Sequence, residues 1–332
     1  MQDGLSAFGL GADDLSAQVE AAVYPERVPG RIAHIDADFI AYQASAETKD
    51  ELDGIKPRRT FKDMQEIARR KAEHFMRLVG ASEYRMHITP PGSTKGGRYQ
   101  QAVQREYQGN RNNKASPEHL DLMRAFIGEE LNGVVHLDQE ADDGMTQANY
   151  AAMSPDGAWG QSNLSVIVSM DKDLRMVPGL HYDFDTGKIF CVGDRFGSVW
   201  IDESGSSKKL RGWGTKFFWA QCLMGDTADN IRGVPLVPSK YAAGKPTQRG
   251  KACGPVLTYA LLKDVYNDRD CFHFVRKLYT EAHTEVGYEY KHWATDEPVT
   301  PTQALLGDML LLWMRRNKNP NDVIEWLKGV TQ

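Results

Sequence analysis

The sequence predicts an α/β fold: a central, mostly parallel sheet with flanking helices, a basic insert, and a helical second half. Three observations predict it. Short apolar runs at 31–36, 85–89, 134–137 and 164–170 have the length and content of buried strands. Helix-length segments separate them, and that alternation of strand and helix is the pattern of a parallel sheet covered on its faces. Acids stand just after three of the four runs: Asp36, the group Glu140, Asp142 and Asp143, and the pair Asp171 and Asp173.

In chain order, residues 1–30 are a polar lead-in ending at Pro25, Pro29 and Gly30, to which no regular element is assigned. The strand 31–36 (RIAHID) follows. Phe61, Met64, Ile67, Ala68, Phe75, Leu78 and Val79 recur at helical spacing, and Gly80 is a stop. After the strand 85–89 comes a different kind of segment, 90–114. It holds Gly92, Gly96, Gly97 and Gly109, and sets Lys95, Arg98, Arg105, Arg111 and Lys114 against one acid, Glu106. It reads as a basic, partly flexible insert. Within it a helix over 98–108 would put Arg98, Gln101, Arg105 and Gln108 on one face, ending at Gly109-Asn110.

Ser116, Pro117 and Glu118 read as an N-cap, a first-turn proline and a first-turn acid of a helix to Leu131. The strand 134–137, a helix over 141–153 and the strand 164–170 (LSVIVSM) complete the alternation. Asp185-Thr186-Gly187-Lys188 is a turn between 181–184 and 189–192. A helix over 215–224 follows, with Trp213, Phe217, Phe218 and Trp219 as a core face. Residues 232–254, rich in Gly, Pro and Lys, form a long loop. Helices are expected at 255–263, 270–285, 301–316 and 321–328, with Met309, Leu310, Leu312, Trp313 and Met314 in the core. No internal repeat is present. The chain divides into an extension (1–30), an α/β core (31–200) containing the insert 90–114, and a helical region (201–332).

Composition narrows the class. With 332 residues, the chain has room for one large α/β domain or a domain with a lobe. Its 41% hydrophobic content is ordinary for a globular protein, and no apolar run reaches membrane-spanning length. The acidic residues 1–28 do not read as a secretory signal. Cys191, Cys222, Cys253 and Cys271 show neither metal-ligand nor disulfide spacing and fit buried or idle thiols in a reducing cytoplasm.

The acids carry the chemistry. Residues beyond the carboxyl ends of parallel strands converge on one crevice. Asp36, Glu140, Asp142, Asp143, Asp171 and Asp173 are so placed, and Asp226 and Asp229 follow the helix 215–224. Alone, each is ordinarily a helix cap, a first-turn acid or a turn former. Together they would repel one another and raise each other's pKa unless cations neutralised them. All-oxygen donors without His or Cys favour Mg²⁺ or Mn²⁺ over zinc, and two such ions can hold a phosphodiester between them. Setting these eight acids aside raises the formal charge of −5 by eight, to +3, a mildly basic balance compatible with DNA.

Five segments in order then resemble the 5′→3′ exonuclease and flap endonuclease family, and phage-type members in particular. They are Ile35-Asp36-Ala37-Asp38, Tyr107-Gln108-Gly109-Asn110-Arg111, Glu140-Ala141-Asp142-Asp143, 169–174 (SMDKDL) and 225–231 (GDTADNI), spread over 31–263. Each is a weak signal; the ordered set is strong. The resemblance implies a PIN-like nuclease core, an arch at 90–114 and a helix–turn–helix-like duplex-binding element from Asn230 through Gly254 to Lys263. It implies Asp36, Glu140, Asp142, Asp143, Asp171 and Asp173 as inner metal carboxylates, with Asp226 and Asp229 completing a second metal environment. The implied substrate is a DNA duplex with a 5′ end or flap, or an RNA–DNA hybrid. The implied setting is phage DNA replication or genome degradation, in the host cytoplasm, with a monomeric enzyme.

The sequence departs from the family pattern in three places. Gln108 stands where the family has a lysine, Thr89-Pro90-Pro91 stands where it often has an Asp, and the duplex-binding element carries a basic insertion over 235–251. Arg105 or Arg111, beside Tyr107 and Gln108, is expected to supply the missing positive charge through a phosphate clamp. Lys95, Arg98 and Lys114 in the insert, and Lys240, Lys245, Arg249 and Lys251 in the later loop, are expected DNA contacts that set affinity but not sequence. Two other readings fit less of the chain: a structure-specific DNA-binding protein with weakened catalysis, and a PIN-type ribonuclease.

Overall fold

A computed structural model of the chain describes residues 24–46, 59–112, 116–153, 163–241 and 250–332. The central strands are β1 (Ile32–Asp36), β2 (Glu83–Ile88), β3 (Gly133–Val135), β4 (Ser165–Val168), β5 (Gly179–Asp183) and β6 (Lys188–Val192). They form one sheet in the order β3-β2-β1-β4-β5-β6. The first five are parallel, and β6 returns antiparallel to β5 through the expected turn.

Alternation sorts the strand residues onto two faces. Ala33 and Ile35, Met86 and Ile88, and Val166 and Val168 share one core. The helices of this half are α1 (Ala37–Ser45), α2 (Phe61–Leu78), the short α3 (Arg98–Gln101), α4 (Leu120–Glu130) and α5 (Ala141–Ala151). Ile40, Phe75, Met123 and Ile127 bring α1, α2 and α4 to that core. Helix α2 begins where Thr60 and Asp63 satisfy each other's backbone N–H, at 2.9 and 3.2 Å, and ends before Gly80 at φ +58°. Helix α4 starts later than expected: Ser116 and Pro117 belong to a preceding turn, in which Leu120 N–H donates to Pro117 O.

The opposite face carries His34 and His87, which with His136 make a hydrogen-bonded row. His34 Nδ1 lies 2.9 Å from His87 Nε2, His87 Nδ1 lies 3.0 Å from His136 Nε2, and Gln139 Nε2 lies 3.1 Å from His136 Nδ1. Burial holds all three imidazoles below their usual pKa, His34 at about 4. Neutral rings can pass donor to acceptor along such a row, whereas charged ones would leave two donors facing. Helix α5 packs closely because Gly144 has no side chain: a Cβ there would lie 2.2 Å from the His136 ring.

The second half adds a ribbon of β7 (Ser198–Asp202) and β8 (Lys209–Trp213), antiparallel and not anticipated from the sequence. Its helices are α6 (Gly214–Met224), α7 (Pro255–Leu262), α8 (Asp268–Thr284), α9 (Pro301–Leu312) and α10 (Asp322–Thr331). Helix α6 is central, with Phe217, Phe218 and Trp219 buried; Trp213, expected beside them, is instead 36% exposed. Helix α9 stops short of the expected Arg316. Trp313 turns extended, and two amides just beyond it bind carboxylates: Arg315 N–H donates to Asp143 and Arg316 N–H to Asp322. The larger core joins both halves across position 200, since Met145, Ile167 and Leu174 pack with Phe217 through Leu223. Cys222, Cys253 and Cys271 are buried and Cys191 is exposed, all as free thiols. Among the described residues no helix is long and apolar enough to cross a membrane.

Candidate active site

The carboxyl ends of β1 and β4 and the N-terminus of α5 meet at the carboxyl end of the sheet, over its two central strands. Asp36 closes β1 and accepts Asp38 N–H at 3.0 Å, capping α1, while its other oxygen accepts Ser169 Oγ at 2.9 Å. The ordinary capping role and a place in the cleft therefore coexist in one residue. Asp171 caps a 3₁₀ turn after β4 by accepting Asp173 N–H at 2.8 Å. Glu140 stands before α5 and accepts Tyr107 Oη at 3.0 Å. Asp229, from the turn after α6, accepts Gln108 Nε2 at 2.9 Å and Arg111 at 2.6 Å.

Asp36, Glu140, Asp142, Asp171 and Asp229 line one cleft of about 350 Å³, together with Asp38, Lys95, Tyr107, Gln108, Arg111 and Arg124. Asp173 and Asp226 line an adjoining cavity of about 350 Å³ that shares Asp171, Asp229 and Arg111. There the Lys172 ammonium bridges Asp173, at 2.8 Å, and Asp226.

The electrostatics follow this division. Burial, reinforced by Asp38, pushes Asp36 up to about 7. Asp142 is driven well above the carboxylate range by desolvation and then by Asp171, Asp36 and Glu140. Asp171, at the rim, is raised to about 6 by the crowding of the surrounding walls and then by Asp229 and Asp36, against the pull of Lys172. Burial raises Glu140 too, against the pull of Arg98 and Lys95. Burial and Asp171 raise Asp173, whereas Lys172 overcomes burial at Asp226 and lowers it. The cleft thus gathers carboxylates whose charges are costly unless a cation joins them.

Such oxygen donors fit a hard divalent cation. Among the described residues no group of three or more Asp, Glu, His or Cys side chains is drawn together, as placed, closely enough to hold a metal ion. The acids line an open cleft instead, an arrangement suited to an ion that keeps several waters.

Several expected site residues stand elsewhere. Asp143 faces away from the cleft: its oxygens accept Arg98 at 2.6 and 2.9 Å and Arg315 N–H at 3.0 Å. Arg98 is 1% exposed, so it cannot contact DNA as expected; it also donates to the carbonyls of Leu311 and Trp313. The helix expected over 98–108 ends at Gln101, because Ala102 turns extended (ψ 122°) and is buried. Arg105 is therefore not beside Gln108; it is exposed, outside the residues lining the cleft, and its charge is felt by Asp308. Arg111 does line the cleft. Lys240 is held between Glu281 and Glu285, at 3.0 and 2.7 Å, and Lys251 is exposed where its backbone pairs with Val237. Lys114, Lys245 and Arg249 lie outside the described residues.

Sequence reasoning missed Asp38 as a cleft residue. Its carboxylate accepts Thr89 N–H at 3.1 Å and Arg124 Nε at 3.1 Å. An acid is thus present beside the end of β2 although none follows that strand in sequence. The signal was its position two residues after Asp36, on the first turn of α1.

No family model matches the chain, and no curated protein matches it either. Among solved structures it is similar to a flap endonuclease of bacteriophage T5, crystallised as a pseudo-enzyme–product complex with DNA and metal ions. The two are 13% identical with a TM-score of 0.50, over 90% of this chain and 97% of that one. A bacteriophage T5 protein co-crystallised with metal ions is 14% identical, with a TM-score of 0.48 over 90% of this chain and 98% of that one. A T5 5′-exonuclease with bound zinc is 12% identical, with a TM-score of 0.47 over 85% and 88%. At these identities the likeness is one of fold.

Proposed function

We propose that the chain is a divalent-metal-dependent 5′ nuclease acting on DNA duplexes with a 5′ end or flap, with RNA–DNA hybrids as a further substrate class. The observation that carries this reading is the meeting of Asp36, Glu140, Asp142, Asp171 and Asp229 in one cleft with Arg111 and Lys95 on its wall. A fold similar to that of a flap endonuclease solved with DNA and metal ions supports it.

Asp36, Asp142 and Asp171 would hold the first ion, with Glu140 beside it; Asp173, Asp226 and Asp229 would hold the second, some through water. Mg²⁺ or Mn²⁺ held there would supply an activated water and neutralise charge on the phosphodiester. The protein's own groups do the rest. Tyr107 fixes Glu140, Ser169 fixes Asp36, and Arg111 and Lys95 attract the phosphate backbone into the cleft. We read the enzyme as a monomer of phage type, serving DNA replication or genome degradation.

The test is digestion of 5′-labelled duplex, flap and hybrid substrates with Mg²⁺, Mn²⁺ or EDTA, with the products mapped. The reading predicts cuts at or near the 5′ end that EDTA and Asp142→Asn abolish. Tight binding without cleavage in either metal would instead mark a structure-specific binding protein. Cleavage confined to RNA would mark a PIN-type ribonuclease.

A further inference from the structure

Lys95 occupies an unusual position. It is a non-glycine residue in the left-handed region, at φ +49°, followed by Gly96 and Gly97 at +63° and +78°. Left-handed backbone disfavours a side chain, and it persists where the surroundings fix it. Here they do. Thr94 N–H donates to Leu137 O at 2.9 Å, Lys95 N–H to Ser93 Oγ at 3.2 Å, and Ser93 Oγ to Gln139 O at 3.1 Å. The turn that carries Lys95 is fastened to the connection between β3 and α5, which also carries Glu140.

The ammonium leans over the candidate cleft, 5.7 Å from the Tyr99 ring and 5.9 Å from the Tyr107 ring. It donates to Gln108 Oε1. The same Gln108 amide donates to Asp229 at 2.9 Å and to Tyr107 Oη at 3.2 Å, and Gln108 is itself left-handed, at φ +55°. Its side chain is therefore a neutral strut between a cation and a carboxylate, oriented at both ends. Lys95 also pairs with Glu140, 3.5 Å away, which Arg98 at 3.1 Å and Tyr107 Oη at 3.0 Å contact as well. An ammonium has three donor hydrogens, and the Gln108 carbonyl accepts one.

We propose that Lys95 is a catalytic residue that donates to a non-bridging oxygen of the phosphodiester being cut, and that Gln108 is the positioning residue that aims it. This deepens the nuclease reading and rests on it. The role is electrostatic: the ammonium keeps its proton and stabilises charge that grows on the phosphate in the transition state. In a chain with glutamine at 108, the cation reaches the cleft from another turn and is held by that glutamine.

Two measurements test it on the full chain. The first is the single-turnover rate of cutting a 5′-flap duplex in Mg²⁺. The second is binding in Ca²⁺ of the same duplex with either a phosphate or an uncharged methylphosphonate at the flap junction. Removing one donor to developing charge costs about 100-fold or more in rate. Lys95→Met should lose about that much and narrow the preference for phosphate over methylphosphonate, the remainder being due to the cations and Arg111. Gln108→Met should lose part of both, and Lys95→Met with Gln108→Lys should regain part of both. If Lys95→Met cuts at the wild-type rate, or keeps the full wild-type phosphate preference, the assignment of Lys95 fails while the nuclease reading stands. If wild type cuts nothing, the nuclease reading fails and the binding pair still decides whether Lys95 meets the phosphate. Should Lys95→Met not fold, Gln108→Met decides: unchanged rate and preference would overturn the proposal.

Discussion

Replacing Asp143 by asparagine should cost the fold about 3–5 kcal/mol, the range for breaking a buried ion pair by removing one partner. The site explains why the effect is large. Arg98 and Asp143 are 1% and 0% exposed and form two parallel bonds of 2.6 and 2.9 Å. Hydrogen bonds to charged groups contribute about 1.5–3 kcal/mol each. In Asp143→Asn the amide would turn a donor toward the guanidinium, and Arg98 would keep only Glu140, at 3.1 Å, as a charged partner. The pair also ties α3 to α5 and to the chain leaving α9, through the carbonyls of Leu311 and Trp313 and the amide of Arg315. Equilibrium urea unfolding of wild type, Asp143→Asn, Arg98→Met and Arg98→Met with Asp143→Leu would measure it. Each single variant should lose several kcal/mol, and the double variant less than the two losses added, because no buried charge is orphaned. A loss under about 1 kcal/mol for Asp143→Asn, or strict additivity, would show that the pair does not hold these segments together. A gain in stability would mean that desolvating the buried pair costs more than its bonds contribute.

Two further predictions concern pH and have opposite signs, so variants must separate them. Asp308 is 2% exposed and burial raises it to about 7, against hydrogen bonds from Tyr279, Gln104 and Gly233. The folded state then binds its proton more tightly than the unfolded chain, so stability from this group is present below the usual pKa of about 4 and is lost as pH rises through 7. The span corresponds to about 4 kcal/mol, and Asp308→Asn should abolish that part of the dependence in urea titrations at pH 5 and 8. His34, held at about 4 by burial, acts the other way. The unfolded chain takes up its proton first, so about 2 kcal/mol should be lost between pH 6.5 and 5, and His34→Gln should not show that loss. Gly144→Ala should lower the melting temperature, since its Cβ would stand 2.2 Å from the His136 ring; an unchanged melting temperature would show that the row of histidines yields freely.

The strands of the sheet were legible because each is a short apolar run, and the cleft because acids follow three of them. Asp36, Asp142 and Asp171 needed only that rule. Arg98 was not legible. In sequence it is one of several cations in a glycine-rich insert, and its partner lies 45 residues away on α5. Periodicity suggested a helix through Gln108, but buried Ala102 and the left-handed Gln108 end that pattern for tertiary reasons. The end of α9 was hidden likewise, since Arg315 and Arg316 are reasonable helix residues whose amides are claimed by Asp143 and Asp322. Asp38 was quoted within a motif yet not read as a cleft residue, because its orientation depends on Thr89 and Arg124. Charge type and spacing reveal which groups are available; packing decides which of them face the cleft.

The nuclease proposal requires that the carboxylates gathered at the carboxyl end of the sheet hold divalent cations. Calorimetric titration of the protein with Mn²⁺, free of DNA, tests it most directly. Saturable binding is expected for wild type, strongly weakened in Asp142→Asn and in Asp171→Asn, and little changed in Asp296→Asn, an exposed acid that lines neither cavity. Absence of saturable Mn²⁺ binding, or binding that survives both cleft substitutions, would contradict it.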